Sequence, residues 1–244
     1  MYQSKIMKQF NEYQELYARF LENNYPNGET FLSHDGKREE FNRKNSQIVV
    51  TATPVDILFI GDSITEAWET NMYFGKYGFI VNRGIGGERL AVLEKRFYAD
   101  CLQLKPKLCV LASGINDTYP LYQIKAKGEE ITQDKKDELL SDMESVYRRL
   151  VKAAHEYGVE IWLGSVLPLG TNDFRSELIL EINERIQKVC KEENAEYVDY
   201  HSALVQTDGK TMLDVTFGDM LHPHVKGYNI MYRVLSKKLQ NRRR

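Results

Sequence analysis

The stretch Val55-Asp56-Ile57-Leu58-Phe59-Ile60-Gly61-Asp62-Ser63-Ile64-Thr65-Glu66 decides how the rest of the chain is read. Its first half is a run of β-branched and large apolar side chains, closed by a glycine and followed by an acid and a serine. A run of that kind, without polar alternation, marks a strand buried on both faces, as in the interior of a parallel sheet. The polar pair Asp62-Ser63 then stands where the strand ends, at the carboxyl edge of the sheet, with a helix starting just after it.

Four more segments repeat the pattern further along the chain. Candidate strands cover 56–60, 79–82, 107–112, 159–165 and 196–199, and helical patterns lie near 88–100, 136–157, 177–193 and 226–240. In the second helix Leu139, Leu140, Met143, Val146, Tyr147, Leu150, Val151 and Ala154 recur at spacings of three and four, which gives one apolar face. Strands alternating with helices of this length require right-handed crossovers. The sequence therefore predicts an α/β protein, a three-layer α/β/α sandwich around a five-stranded parallel sheet, with its site at the carboxyl ends of the strands.

Residues 1–54 fall outside that alternation. Ile6, Phe10, Tyr13, Tyr17, Phe20 and Leu21 recur at helical spacing, and a polar stretch from Glu22 through Asn45 follows. Residues 1–54 are read as an N-terminal helical extension to a single α/β domain over 55–244, packed either on that domain or on a partner subunit, as in a homodimer.

Formal net charge is -2 in 244 residues, so neither a nucleic-acid surface nor an anionic membrane surface is expected. The basic tail Arg242-Arg243-Arg244 reads as a solvated terminus. No run approaches the roughly 18 apolar residues of a membrane span, so no stable membrane insertion is expected. The N-terminus lacks the apolar stretch of a secretory signal, and a cytoplasmic location is the expectation. The three cysteines, Cys101, Cys109 and Cys190, do not suggest a disulfide framework.

Four motifs carry chemistry, and each alone has an ordinary structural explanation. In Gly61-Asp62-Ser63, a serine at a helix N-terminus sits where free amides favour an anion, although the acid or the serine could simply cap the helix. In Asn82-Arg83-Gly84-Ile85-Gly86-Gly87-Glu88, glycines let the backbone approach a ligand. A dinucleotide fingerprint would need glycine where Arg89 stands. In Ser113-Gly114-Ile115-Asn116-Asp117, the Asn116 amide could donate to an oxyanion or form a local turn. In Asp219-Met220-Leu221-His222-Pro223, the spacing lets a carboxylate reach an imidazole and hold its tautomer.

Taken together and in this order, Gly61-Asp62-Ser63, Gly87, Gly114-x-Asn116-Asp117 and Asp219-x-x-His222-Pro223 resemble the SGNH hydrolases, the GDSL-like lipase/acylhydrolase family. The likeness runs from about Val55 to about Leu239. The stretch 82–87 looks most like bacterial relatives of the platelet-activating-factor acetylhydrolase catalytic subunits. The resemblance implies the flavodoxin-like fold of that family and a serine esterase needing no cofactor and no metal. By similarity, Ser63 attacks the acyl carbonyl, His222 is its base and Asp219 orients His222. The amides of Ser63 and Gly87 and the side chain of Asn116 would hold the oxyanion. Many relatives carry a small hydroxyl residue two positions after that glycine, where this chain has Arg89.

Arg89 is therefore a candidate for substrate selection, with Asp62, Tyr119 and Leu167 as further substrate-binding candidates. Trp68, Tyr73 and Phe74 could shape an acyl pocket or belong to the core. His222 and His224, with Asp219, superficially suggest a metal site, but the pair His222-Pro223-His224 lacks a third well-spaced ligand, which argues against one. The absence of a long apolar tract favours a small-molecule ester with a short acyl group, such as acetyl, on a polar or carbohydrate alcohol. A lysophospholipase or thioesterase with the same triad, or a silent ligand-binding member of the family, are the alternatives.

Overall fold

The computed structural model describes residues 35–242. Five parallel strands form one sheet: β1 (Ile57–Gly61), β2 (Ile80–Gly84), β3 (Leu108–Ala112), β4 (Glu160–Gly164) and β5 (Glu196–Val198), in the order β2-β1-β3-β4-β5. The chain runs from β1 outward to β2, then crosses β1 to reach β3, so the strand order reverses at β1. That switch point opens a crevice beyond the carboxyl ends of β1 and β3. The register pairs Gly61 with both Gly84 and Ala112, which brings three strand ends level at the crevice.

The apolar runs bury both sheet faces, as the sequence predicts. Leu58, Ile60, Cys109 and Leu111 face helices α4 (Leu90–Asp100), α6 (Gln133–Glu156) and α7 (Phe174–Glu192). Ile57, Phe59, Leu108 and Val110 face α2 (Ser63–Glu66), α3 (Thr70–Phe74) and α9 (Val225–Arg242). Two smaller helices, α5 (Tyr119–Ala126) and α8 (His201–Leu204), flank the carboxyl edge. Trp68 and Phe74 are buried among Phe59, Tyr200 and Tyr228, so they belong to the core. Among the described residues no helix is long and apolar enough to cross a membrane.

β2 continues past the predicted end at 82 to Gly84, although Asn82 and Arg83 are polar. Both are fully employed. The Asn82 amide donates to the carbonyls of Thr65 and Trp68 at 2.7 and 3.0 Å, and the Arg83 guanidinium donates to Asn45 and to the Asn82 carbonyl.

The helix expected over 6–21 lies outside the described residues. Within the polar stretch the structure has a helix the periodicity missed, α1 (Asp35–Thr51), which packs on α4. The reason is chemical: alongside Phe41, the buried face of α1 consists of Arg38, Asn42 and Asn45 rather than an apolar stripe. Arg38 pairs with Asp100, and the Asn45 amide donates to the Ala99 carbonyl and to Asp100 at 3.0 and 2.8 Å. Buried ionic groups of this kind are costly to leave unpaired, so they hold α1 in one register on α4.

Candidate active site

β1 ends at Gly61 because nothing larger fits. A Cβ there would lie 1.9 Å from the Ala112 carbonyl oxygen of β3. Beyond it, Asp62 caps α2, its carboxylate accepting the Ile64 amide at 3.0 Å. The capping role thus falls to Asp62, and the Ser63 hydroxyl is left for another partner. Burial pushes the Asp62 carboxyl up to about 7.

The partner comes from 159 residues further along the chain. Ser63 Oγ lies 2.7 Å from His222 Nε2, and His222 Nδ1 lies 2.6 Å from Asp219 Oδ2. The segment before α9 is a tight turn: the Phe217 amide donates to the His222 carbonyl, and Met220 takes the left-handed conformation at φ 59°. Asp219 Oδ1 accepts the amides of Leu221 and His222, both at 3.0 Å, which leaves Oδ2 for the ring. Partial burial would raise the Asp219 carboxyl, but the imidazole and the two amides outweigh it and hold it near 2. An ionised carboxylate at Nδ1 keeps the proton on that nitrogen, so Nε2 is the lone-pair side that faces the serine.

Around the crevice, Gly87 follows β2 with φ 74°, a conformation that favours glycine. The neighbouring Gly86 amide is committed to Glu66 Oε2 at 2.6 Å. The amides of Ser63 and Gly87 have no acceptor among the described residues. Asn116 sits in the 3-10 turn Ile115–Thr118 beyond β3, where one amide hydrogen goes to the Glu88 carbonyl at 3.0 Å. A primary amide has two such hydrogens, so one remains free to donate. The following residue, Asp117, caps α4 by accepting the Leu90 amide on both oxygens at 3.2 Å.

The other sequence candidates divide. Arg89 and Tyr119 line an open cleft of about 420 Å³ together with Gly87, Asn116, Pro120 and Gln123. Tyr119 is 55% exposed and stacks on Tyr122, with ring centroids 6.0 Å apart. Leu167 is instead buried. With Asp62, Ile64, Ser113 and Val166 it lines a separate apolar recess of about 20 Å³. His201 is buried under Ser165, whose hydroxyl accepts its amide, and His224 Nδ1 accepts the Lys226 amide. Among the described residues no group of three His, Cys, Asp or Glu side chains is placed to hold a metal ion.

Glu66, Glu88 and Asp117 each bond to the loops that carry Gly87 and Asn116, and sequence reasoning singled out none of them for that role. Glu88 gave a faint signal. It precedes a helix whose inward face carries Arg96 and Asp100, an odd pair for a buried stripe.

The sheet thus carries a chain of side-chain contacts, Ser63 to His222 to Asp219, at its carboxyl edge. Residues 59–230 match the model of the GDSL-like Lipase/Acylhydrolase family. The chain belongs to that family and is an ester hydrolase. An acetylxylan esterase of Geobacillus stearothermophilus is 23% identical over 209 residues, 75% of this chain and 93% of that protein. Two solved structures share the fold. A GDSL-like lipase of Bacteroides thetaiotaomicron VPI-5482 superposes with a TM-score of 0.64 at 24% identity, over 83% of this chain and 97% of that one. A protein of Streptococcus pneumonia provisionally described as a platelet activating factor gives 0.66 at 25% identity, over 84% and 93%.

Proposed function

We propose that the protein is a serine esterase in which Ser63 is the nucleophile, His222 the general base and acid, and Asp219 the group that orients it. The observation that carries this reading is the chain of two short contacts, 2.7 Å from Ser63 to His222 and 2.6 Å from His222 to Asp219. In acylation the Ser63 hydroxyl gives its proton to His222 Nε2 as Oγ bonds to the acyl carbon. The imidazolium, stabilised by Asp219, returns that proton to the leaving alcohol. Water then attacks the acyl-enzyme with His222 again as base. The Ser63 and Gly87 amides and the free Asn116 hydrogen receive the oxyanion, each contributing about 3 kcal/mol of transition-state stabilisation.

For substrate, we propose short acyl esters, acetyl above all, of a polar or carbohydrate alcohol. Two observations support this. The apolar recess that Asp62 and Ile64, either side of Ser63 in sequence, line together with Val166, Leu167 and Tyr200 offers about 20 Å³, room for a methyl group and not for a fatty chain. The open cleft beside Gly87 and Asn116 presents the Tyr119 ring and the cationic Arg89, so it suits a hydroxyl-rich leaving group. The sequence likeness to an acetylxylan esterase points the same way.

Initial rates on p-nitrophenyl acetate, butyrate and octanoate test both parts. The expected result is turnover that falls with chain length and vanishes in Ser63→Ala. Octanoate as the best substrate would reject the short-acyl reading. Arg89→Ala and Tyr119→Ala should raise KM for an acetylated oligosaccharide while leaving kcat on p-nitrophenyl acetate within about threefold.

A further inference from the structure

Glu66 closes the short helix that begins with Ser63, and the triad does not use it. Its carboxylate spans two elements. Oε2 accepts the Gly86 amide at 2.6 Å, and Oε1 pairs with Lys37 Nζ of α1 at 3.0 Å. A Cβ on Gly86 would stand 3.0 Å from that Oε2 and 3.5 Å from the Ser63 Cβ, so this loop packs directly against the serine.

The far side of the same loop is held independently. Glu88 is buried, its carboxylate accepts from Arg96 Nε at 2.7 Å, and its carbonyl accepts the Asn116 amide at 3.0 Å. Arg96 continues to Asp100 at 3.0 Å, and Asp100 pairs with Arg38 of α1. Residues 86–88 are thus clamped from both flanks, and both clamps end on α1, at Lys37 and at Arg38.

The Glu66 clamp has an electrostatic side. A carboxylate bonded to the amide next to an oxyanion donor opposes the negative charge that develops there. An ammonium at 3.0 Å offsets that charge. Among the causes that raise the Lys37 pKa, the hydrogen bond to Glu66 is the largest. Both side chains are about a third or more exposed, so solvent screens the pair and the Lys37 effect is the smaller one.

We propose that Glu66 is a positioning residue for the oxyanion hole, aiming the Gly87 amide through its bond to Gly86, and that Lys37 neutralises it there. This rests on the reading of Gly87 as an oxyanion donor. It makes α1, which lies outside the family match at 59–230, part of the working site.

The test is steady-state kinetics on p-nitrophenyl acetate with thermal melts alongside, for Glu66→Leu, Glu66→Gln, Lys37→Met and the double variant Lys37→Met/Glu66→Gln. Glu66→Leu should lower kcat by about 10- to 100-fold with KM within about twofold, because only the transition state meets the misaimed amide. Glu66→Gln keeps an acceptor for Gly86 and should stay within about threefold of wild type. Lys37→Met should lose about threefold in kcat, and adding Glu66→Gln should remove that loss. The proposal is overturned if Glu66→Leu keeps kcat within twofold, if Glu66→Gln falls as far as Glu66→Leu, or if the Lys37→Met loss persists beside Glu66→Gln. Should Glu66→Leu fail to fold, the coupling between Lys37→Met and Glu66→Gln decides alone. Ser63→Ala, run in parallel, separates the two levels: retained turnover there would remove the underlying mechanism, whereas a dead Ser63→Ala beside an unaffected Glu66→Leu removes only this inference.

Discussion

Replacing Asp219 by asparagine is nearly isosteric, yet the geometry makes it a severe change. Oδ1 accepts two backbone amides at 3.0 Å each, and Oδ2 accepts His222 Nδ1–H at 2.6 Å. An asparagine must turn its oxygen to the two amides, which leaves its NH2 facing Nδ1. Two donors cannot meet, so the ring takes the other tautomer, with the proton on Nε2 pointing at Ser63 and no base left there. Restoring the productive tautomer forfeits a hydrogen bond to a charged group, about 1.5–3 kcal/mol. The imidazolium also loses its carboxylate, and the sum is roughly 3–4 kcal/mol, a fall of about 10²- to 10³-fold in kcat. The same change at a triad carboxylate shut away from water costs roughly 10⁴-fold. Here the side chain is 48% exposed and water compensates in part. Water can also serve Nδ1–H in Asp219→Ala, so alanine should be no worse than asparagine although it removes more contacts. Steady-state hydrolysis of p-nitrophenyl acetate by both variants is the assay. An Asp219→Asn enzyme within tenfold of wild type, or clearly faster than Asp219→Ala, would refute this reasoning.

Two further outcomes follow from buried charge and a third from close packing. Burial lifts the Asp62 carboxyl from 3.8 to about 7, so between those values the folded state holds a proton that the unfolded chain has released. Its contribution is therefore present below about pH 4 and lost as pH rises to about 7, worth at most roughly 4 kcal/mol. Urea unfolding at pH 5 and pH 8 should show Asp62→Asn losing less stability with pH than wild type, and equal slopes would contradict this. Arg96 joins Glu88 and Asp100 with all three side chains nearly inaccessible, so Arg96→Met removes the cation that two buried carboxylates share, although Asp100 keeps Arg38 and Asn45, and should cost about 3–5 kcal/mol in urea unfolding. A loss under about 1 kcal/mol would show that the cluster is not a structural tie. Gly84→Ala would place a Cβ 2.1 Å from the Glu66 amide nitrogen, so it should depress kcat and the unfolding midpoint together, and an unchanged enzyme would mean that the β2–α2 packing is looser than described.

The sheet was legible because Ile57 to Ile60 and Leu108 to Leu111 are apolar on both faces, and a both-faces pattern leaves few alternatives to a covered parallel strand. The motifs were legible because topology places Ser63, Gly87 and Asn116 just past the ends of β1, β2 and β3. Helix α1 was not, because its buried face is mostly Arg38, Asn42 and Asn45, and Phe41 with the half-buried Ile48 and Val49 is too sparse a stripe for hydrophobic periodicity to register. The same blindness covered Glu66 and Lys37: a surface-looking glutamate and lysine, 29 positions apart, acquire meaning only when α1 lies against the 84–88 turn. Leu167, read as a pocket residue, does meet a recess, but one separate from the cleft that holds Arg89 and Tyr119.

In the proposed mechanism His222 makes Ser63 nucleophilic. Incubation with a fluorophosphonate, followed by intact mass and peptide mapping, tests it most directly. One adduct per chain is expected on Ser63 in the wild type, none in Ser63→Ala, and labelling slowed at least about 100-fold in His222→Ala. Labelling of another serine, or undiminished labelling in either variant, would contradict it.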